Sequence, residues 1–233
     1  MAFMDRTLNA KLAAEAVGTF TLVYVGVMVL TVGADSGLVG AALAHGLAIA
    51  VMASATMTIS GGHLNPAVTV GVWAARRIPG SEAISYILAQ LGGGALGALL
   101  ARFSLPEGLY VNQGLPGVDA SITPLTAIVI EAVLTFFLVF VVFGTGVDAR
   151  FGARVGGLAI GIAVTMDILA GGHLTGAAMN PARWFGPALV TKDWTNALVY
   201  VVGPLLGAVL ASGLWTSLLL PVAGRRTPTE PSP

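Results

Sequence analysis

Polar residues interrupt this chain rarely, and the apolar stretches between them reach the length that crosses a bilayer, roughly 20 residues of helix. The pattern predicts six spans, at about Leu12–Val32, Leu38–Ile59, Ala83–Arg102, Ala127–Gly146, Gly156–Ala170 with flanking residues, and Trp194–Leu219. Two more apolar segments, beginning at Asn65 and Asn180, are too brief to span alone. Each opens with Asn followed by Pro. Asn caps the free N–H groups of a helix start, and Pro at the first helical position gives up no donor that the helix needs. Such short helices persist inside a membrane only when buried in protein or set beside a water-filled path. The expected fold class is therefore all-α and membrane-integral, with six transmembrane helices and two re-entrant half-helices.

The elements recur in order. Glu15-Ala16-Val17-Gly18-Thr19-Phe20 returns as Glu131-Ala132-Val133-Leu134-Thr135-Phe136. Gly61-Gly62-His63-Leu64 is echoed by Gly171-Gly172-His173-Leu174, and Asn65-Pro66-Ala67 by Asn180-Pro181-Ala182, 115 residues later. Three spans per repeat make the second copy enter from the opposite face, an inverted topology. The expected halves are residues 1–122 and 123–221, with a disordered Pro/Thr-rich tail at 222–233. Together they make one channel domain.

Composition sharpens this picture. Of 233 residues, 56% are hydrophobic and 9% charged, against about 25% charged in a soluble domain. A soluble chain of this size could not hide so much apolar surface, whereas lipid solvates it. Placing the N-terminus inside puts Arg6, Lys11, Arg76, Arg77, Arg150, Arg154, Arg225 and Arg226 on the cytoplasmic side, against Arg102, Arg183 and Lys192 on the other. That asymmetry orients both termini to the cytoplasm, and the cell membrane is the expected location. The net charge is zero, with no basic run to suit nucleic acid. The absence of Cys removes thiol chemistry and disulfides. Three His without a carboxylate cluster make a poor metal-ligand set, Ser60 has no recognisable base partner, and no cofactor is implied. An enzyme is not expected.

Inversion brings the N-termini of the two half-helices together near the midplane, so two positive helix ends face one spot. With Asn65 and Asn180 amides as further donors, a water oxygen held there must turn its hydrogens outward. That breaks a donor–acceptor chain of one polarity and disfavours a cation.

Ser60-Gly61-Gly62-His63-Leu64-Asn65-Pro66-Ala67-Val68-Thr69, and Gly176-Ala177-Ala178-Met179-Asn180-Pro181-Ala182-Arg183 with Phe185-Gly186-Pro187-Ala188, resemble the two signatures of the major intrinsic proteins, the aquaporins and glycerol facilitators. The resemblance covers roughly residues 10–220. It implies an aquaporin-like fold, a homotetramer with one pore per subunit, and a four-residue selectivity filter. Carried over, the filter positions fall on His45, Ile168, Ala177 and Arg183. This set departs from the Phe and His of typical water-selective members and resembles that of plant tonoplast intrinsic proteins, some of which pass ammonia. Trp184 stands where glycerol facilitators carry Asp, which argues against glycerol, while Val201 replaces a Trp usual in water channels. The resemblance also makes Glu15 and Glu131 anchors of the re-entrant loops; His63 and His173 precede the half-helices in matching places and are expected to orient loop backbone. Asp167 is open to two readings, a bond to the extracytoplasmic loop or an influence on the field at Arg183.

The expected function is passive conduction of water, possible also for ammonia or other small neutral solutes, through membrane lipid, with protons and ions excluded. The alternatives are a glycerol or urea facilitator and a coupled secondary transporter, since inverted repeats with broken helices build transporters too.

Overall fold

The structure is a computed structural model that describes residues 6–109, 114–147 and 155–219. Arg150, Arg154, Arg225, Arg226 and the tail at 222–233 lie outside the described residues. Eight α-helices occur among those described: α1 (Leu8–Thr31), α2 (Gly37–Thr56), α3 (Pro66–Ala74), α4 (Gly80–Ser104), α5 (Pro124–Val142), α6 (Gly156–Thr175), α7 (Pro181–Thr191) and α8 (Ala197–Leu214). Six are long and apolar enough to cross a membrane, and α3 and α7 are the two that are not.

Caps explain where boundaries differ from expectation. Helix α1 starts at Leu8 rather than Leu12 because Thr7 Oγ1 accepts from Ala10 N. Lys11 then lies within the helix and pairs with Glu82 at 2.9 Å. Helix α6 runs past Ala170 to Thr175, where Gly176 turns left-handed at φ 76°. Pro124 opens α5 behind the capping hydroxyl of Thr123.

The spans pack in pairs, α1 along α4, α5 along α8, and α2 along α6. Small residues set these distances. Gly93 and Gly97 of α4 face the backbone of α1 at Ala16 and Phe20, and Gly203 and Gly207 of α8 face α5 at Ile128 and Ala132. Gly46 of α2 meets Gly161 of α6, where a Cβ would come 2.6 Å from the Gly161 carbonyl. Lipid gives helices no hydrophobic reason to associate, so close backbone contact supplies the attraction. The outer surface is apolar as well as the core. Leu88, Leu125 and Leu198 stand on the outside, whereas Glu15, Gln90, Glu131, Asp167 and Arg183 are buried. Within this frame α3 packs on α8 and α4, and α7 on α4 and α1, so that their first residues meet.

Candidate functional site

The loop before each half-helix is tied to a buried glutamate. Glu15 Oε1 accepts from Ser60 Oγ (2.6 Å) and His63 N (2.9 Å), and Oε2 from Leu64 N (2.6 Å) and Gln90 Nε2 (2.7 Å). Glu131 Oε1 accepts from Thr175 Oγ1 (2.7 Å) and Ala178 N (2.8 Å), and Oε2 from Met179 N (2.7 Å). A carboxylate deep in a membrane protein is costly unless partnered, and here both are satisfied by groups that hold the loops. The loops need holding. Leu64 (φ 53°), Ala177 (φ 42°) and Met179 (φ 50°) adopt left-handed backbone, which costs a residue with a Cβ roughly 1–2 kcal/mol. Tyr86 and Tyr200 each add a hydroxyl bond to a loop carbonyl, at Ser60 O (2.9 Å) and Thr175 O (3.0 Å).

Asn65 and Asn180 follow directly. Asn65 Oδ1 accepts from Ala67 N at 2.8 Å, and Asn180 Oδ1 from Ala182 N at 3.0 Å, with Pro66 and Pro181 at the first helical position. The side-chain amides then cross over. Asn65 Nδ2 donates to Met179 O and Asn180 Nδ2 to Leu64 O, both at 2.9 Å. Capping and donation are thus not alternatives. Each Nδ2 has two N–H groups, and the second is left over after the cross-loop bond.

A cavity of about 30 Å³ lies at this junction and is lined by Asn65, Asn180, Gly62, His63, Ala178 and Met179. Apolar side chains from the spans, among them Leu22, Leu138, Val142 and Val164, line it further along. His45, Ile168, Ala177 and Arg183 line the same cavity. His45, Ile168 and Arg183 also line a second pocket of about 220 Å³, so they stand between the two spaces. His45 Nδ1 lies 2.8 Å from Ala41 O and its Nε2 3.4 Å from Arg183 Nη2. Arg183 Nη1 donates to Gly114 O at 3.4 Å, and its remaining side-chain N–H groups have no partner among the described residues.

Several functional contacts escaped the sequence reading. The segment Leu115–Gly117 lines the outer pocket, and Gly114 holds Arg183 through a carbonyl that any residue would supply. Asp119 N fastens this segment to Leu174 O at 2.8 Å. Hydrogen bonds from the side chain and backbone of Ser121 hold the Asp119 carboxyl below the usual carboxylate range. Gln90 reaches both Glu15 and Thr69.

The pairing of His63 with His173 needs correction. His63 is buried, with Nδ1 3.1 Å from Thr69 Oγ1 and its ring edge-on to Tyr86. His173 is exposed in the last turn of α6, and its side chain makes no hydrogen bond among the described residues. Because α6 continues to Thr175, Gly171–Leu174 is helix, while residues 61–64 are loop. The counterpart of His63 is Ala178, whose N–H meets Glu131 as that of His63 meets Glu15. The 115-residue offset between Asn65 and Asn180 carries the signal, since it aligns Ser60 with Thr175, both hydroxyl donors to the glutamates. Asp167 is fully buried and neither carboxyl oxygen has a hydrogen-bond partner among the described residues, so it makes no bond to the described part of the extracytoplasmic loop.

A family model described as Major intrinsic protein matches residues 4–215. The chain belongs to the major intrinsic protein family. Among curated relatives of this family, "Aquaporin TIP4-1" of Zea mays is 42% identical over 218 residues, covering 89% of this chain and 84% of that protein. "Probable aquaporin TIP3-2" of Arabidopsis thaliana is 42% identical over 191 residues, 79% of this chain and 69% of that protein. The solved structure of the aquaglyceroporin from Plasmodium falciparum superposes with a TM-score of 0.79 at 23% identity, covering 91% of this chain and 97% of that one. It has the fold seen here, six crossing helices with two half-helices between them. The relatives overturn the expected cell-membrane location. They are of the TIP type, aquaporins of the tonoplast, the vacuolar membrane, rather than of the plasma membrane. Apolar length and Lys/Arg asymmetry report that a helix crosses a bilayer and which way it points, not which bilayer it crosses.

Proposed function

We propose that this major intrinsic protein is a passive water channel whose pore is the cavity running between Asn65 and Asn180. The observation that carries the reading is the meeting of two helix N-termini, each with a spare amide N–H, on the lining of one cavity. Both helix ends are positive. A water oxygen there accepts from both amides and presents its hydrogens to either side, so the file of waters changes polarity at the midpoint and cannot relay a proton in one direction. Arg183 adds a fixed positive charge beside His45 and donors for passing molecules, which favours water over cations. The TIP-type relatives are named aquaporins, in agreement with this reading.

Ammonia is a second substrate in this proposal. It is neutral and close to water in size, and Ile168 contributes apolar surface and Ala177 little bulk beside His45 and Arg183. Trp184 following Arg183 disfavours glycerol. The two halves, 1–122 and 123–221, act as inverted repeats, a reading supported by the matching glutamate, hydroxyl, tyrosine and asparagine contacts. The subunits assemble as a homotetramer, as family resemblance implies.

Stopped-flow light scattering on proteoliposomes, challenged separately with water, ammonia, urea and glycerol gradients, tests the whole reading. Rapid water flow with a low activation energy and no electrical current is expected. Saturable, ion-driven solute uptake without osmotic water flow would instead identify a coupled transporter.

A further inference from the structure

His45 is held on three sides. The Ala41 carbonyl can only accept, so the ring proton sits on Nδ1 and leaves Nε2 as an acceptor toward Arg183 Nη2. The third side is the backbone of α1. A Cβ added to Gly26 would overlap His45 Nε2 and stand 3.0 and 3.1 Å from Cε1 and Cδ2. The imidazole occupies the space where a side chain of α1 would otherwise be. Gly26 lies inside the 24-residue helix α1, away from both ends, where glycine weakens a helix relative to alanine. Its presence there calls for a reason other than helix formation.

The space around the ring is closed on that side. Val23, Val27, Gly114 and Pro187 line a small gap beside His45 and Arg183, and a Cβ at Gly114 would itself run into Val27. With Ala41 and Arg183 engaged and α1 behind, a ring pushed from Gly26 moves away from α1, toward the cavity and the second pocket that it lines.

We propose that Gly26 is a positioning residue of the filter: having no side chain, it lets His45 stand back against α1 within reach of Arg183, and so sets the width of the opening. This rests on the channel reading above. Restoring ordinary carbon contact after adding one methyl group moves the ring by roughly 1 Å, a large fraction of a passage sized for single molecules.

The test compares wild type, Gly26→Ala, His45→Ala and the double variant in proteoliposomes, with water permeability normalised to incorporated protein. Gly26→Ala is expected to lower permeability about ten-fold in the wild-type background, the effect of a modest rise in barrier. In the His45→Ala background the same change is expected to alter it less than about two-fold, because the ring it displaces is gone. An equal effect in both backgrounds, or no effect in either, overturns the proposal. If Gly26→Ala does not fold, recovery of folded protein by the double variant supports the clash with His45, and failure of both overturns it. Absence of water flow in wild type refutes the channel reading itself, a result distinct from all of these.

Discussion

Replacing Glu15 by Gln tests the loop anchor with a change of almost no volume. The carboxylate accepts four hydrogen bonds, two on each oxygen. Ser60 and Gln90 can turn to suit an amide, since a hydroxyl and a carboxamide both donate and accept. The backbone N–H groups of His63 and Leu64 cannot turn, and one faces each oxygen. Whichever way a glutamine amide is placed, its NH₂ confronts one of them. At least one fully buried donor is orphaned, at about 1–3 kcal/mol, and the remaining bonds lose their charge assistance. A loss of about 2–4 kcal/mol follows. Equilibrium unfolding in mixed micelles at increasing denaturing detergent, followed by tryptophan fluorescence, measures it. The folded fraction should keep its preference for water over glycerol, because the filter residues are untouched. Unfolding within about 0.5 kcal/mol of wild type refutes the argument. So does a well-folded variant that has lost a proton-coupled uptake present in wild type, which would make Glu15 a relay rather than an anchor.

Other predictions follow from the same contacts. His45→Ala combined with Arg183→Ala removes both polar side chains of the proposed filter, and urea and glycerol permeability should rise about ten-fold or more; unchanged rates would contradict the filter assignment. Asn180→Ala removes a helix cap, worth about 1 kcal/mol, and leaves the Leu64 carbonyl without its donor, so it should destabilise the protein measurably in the same unfolding assay. Gly97→Val brings a side chain to the Phe20 carbonyl, which a Cβ would approach to 2.6 Å, and should cost about 1–3 kcal/mol. His173→Ala should leave stability within about 0.5 kcal/mol and water flow unchanged, whereas His63→Ala should not; equal effects would restore the pairing of the two histidines.

The spans and half-helices were legible because their causes are local. Apolar length reports a crossing, and Asn followed by Pro reports a helix start wherever it occurs. The loops were legible only where side chains do the bonding. Glu15 and Glu131 could be noticed, but what they grip is largely backbone N–H, which every residue but proline carries. Residues 61–64 and 171–174 therefore looked equivalent by letter while differing in conformation. Gly114 illustrates the same limit, since its carbonyl steadies Arg183 and no side chain advertises it. Gly26 was silent for a further reason. Its contribution is the volume it leaves empty, and that volume exists only once α1 and α2 are side by side. Asp167 stays without an account, buried with both oxygens unpartnered, and nothing in the packing explains why a carboxylate stands there.

The crossed amides also bear on how the protein is made. Asn65 is fastened to a carbonyl 114 residues further along the chain, and Asn180 to one 116 residues back. At ordinary rates of synthesis the first of these atoms waits on the order of ten seconds for its partner to exist. During that interval the early re-entrant segment lies in the bilayer without its latch. The conduit is therefore completed by one late closure, not extended helix by helix, and a truncated nascent chain is not half a pore but none.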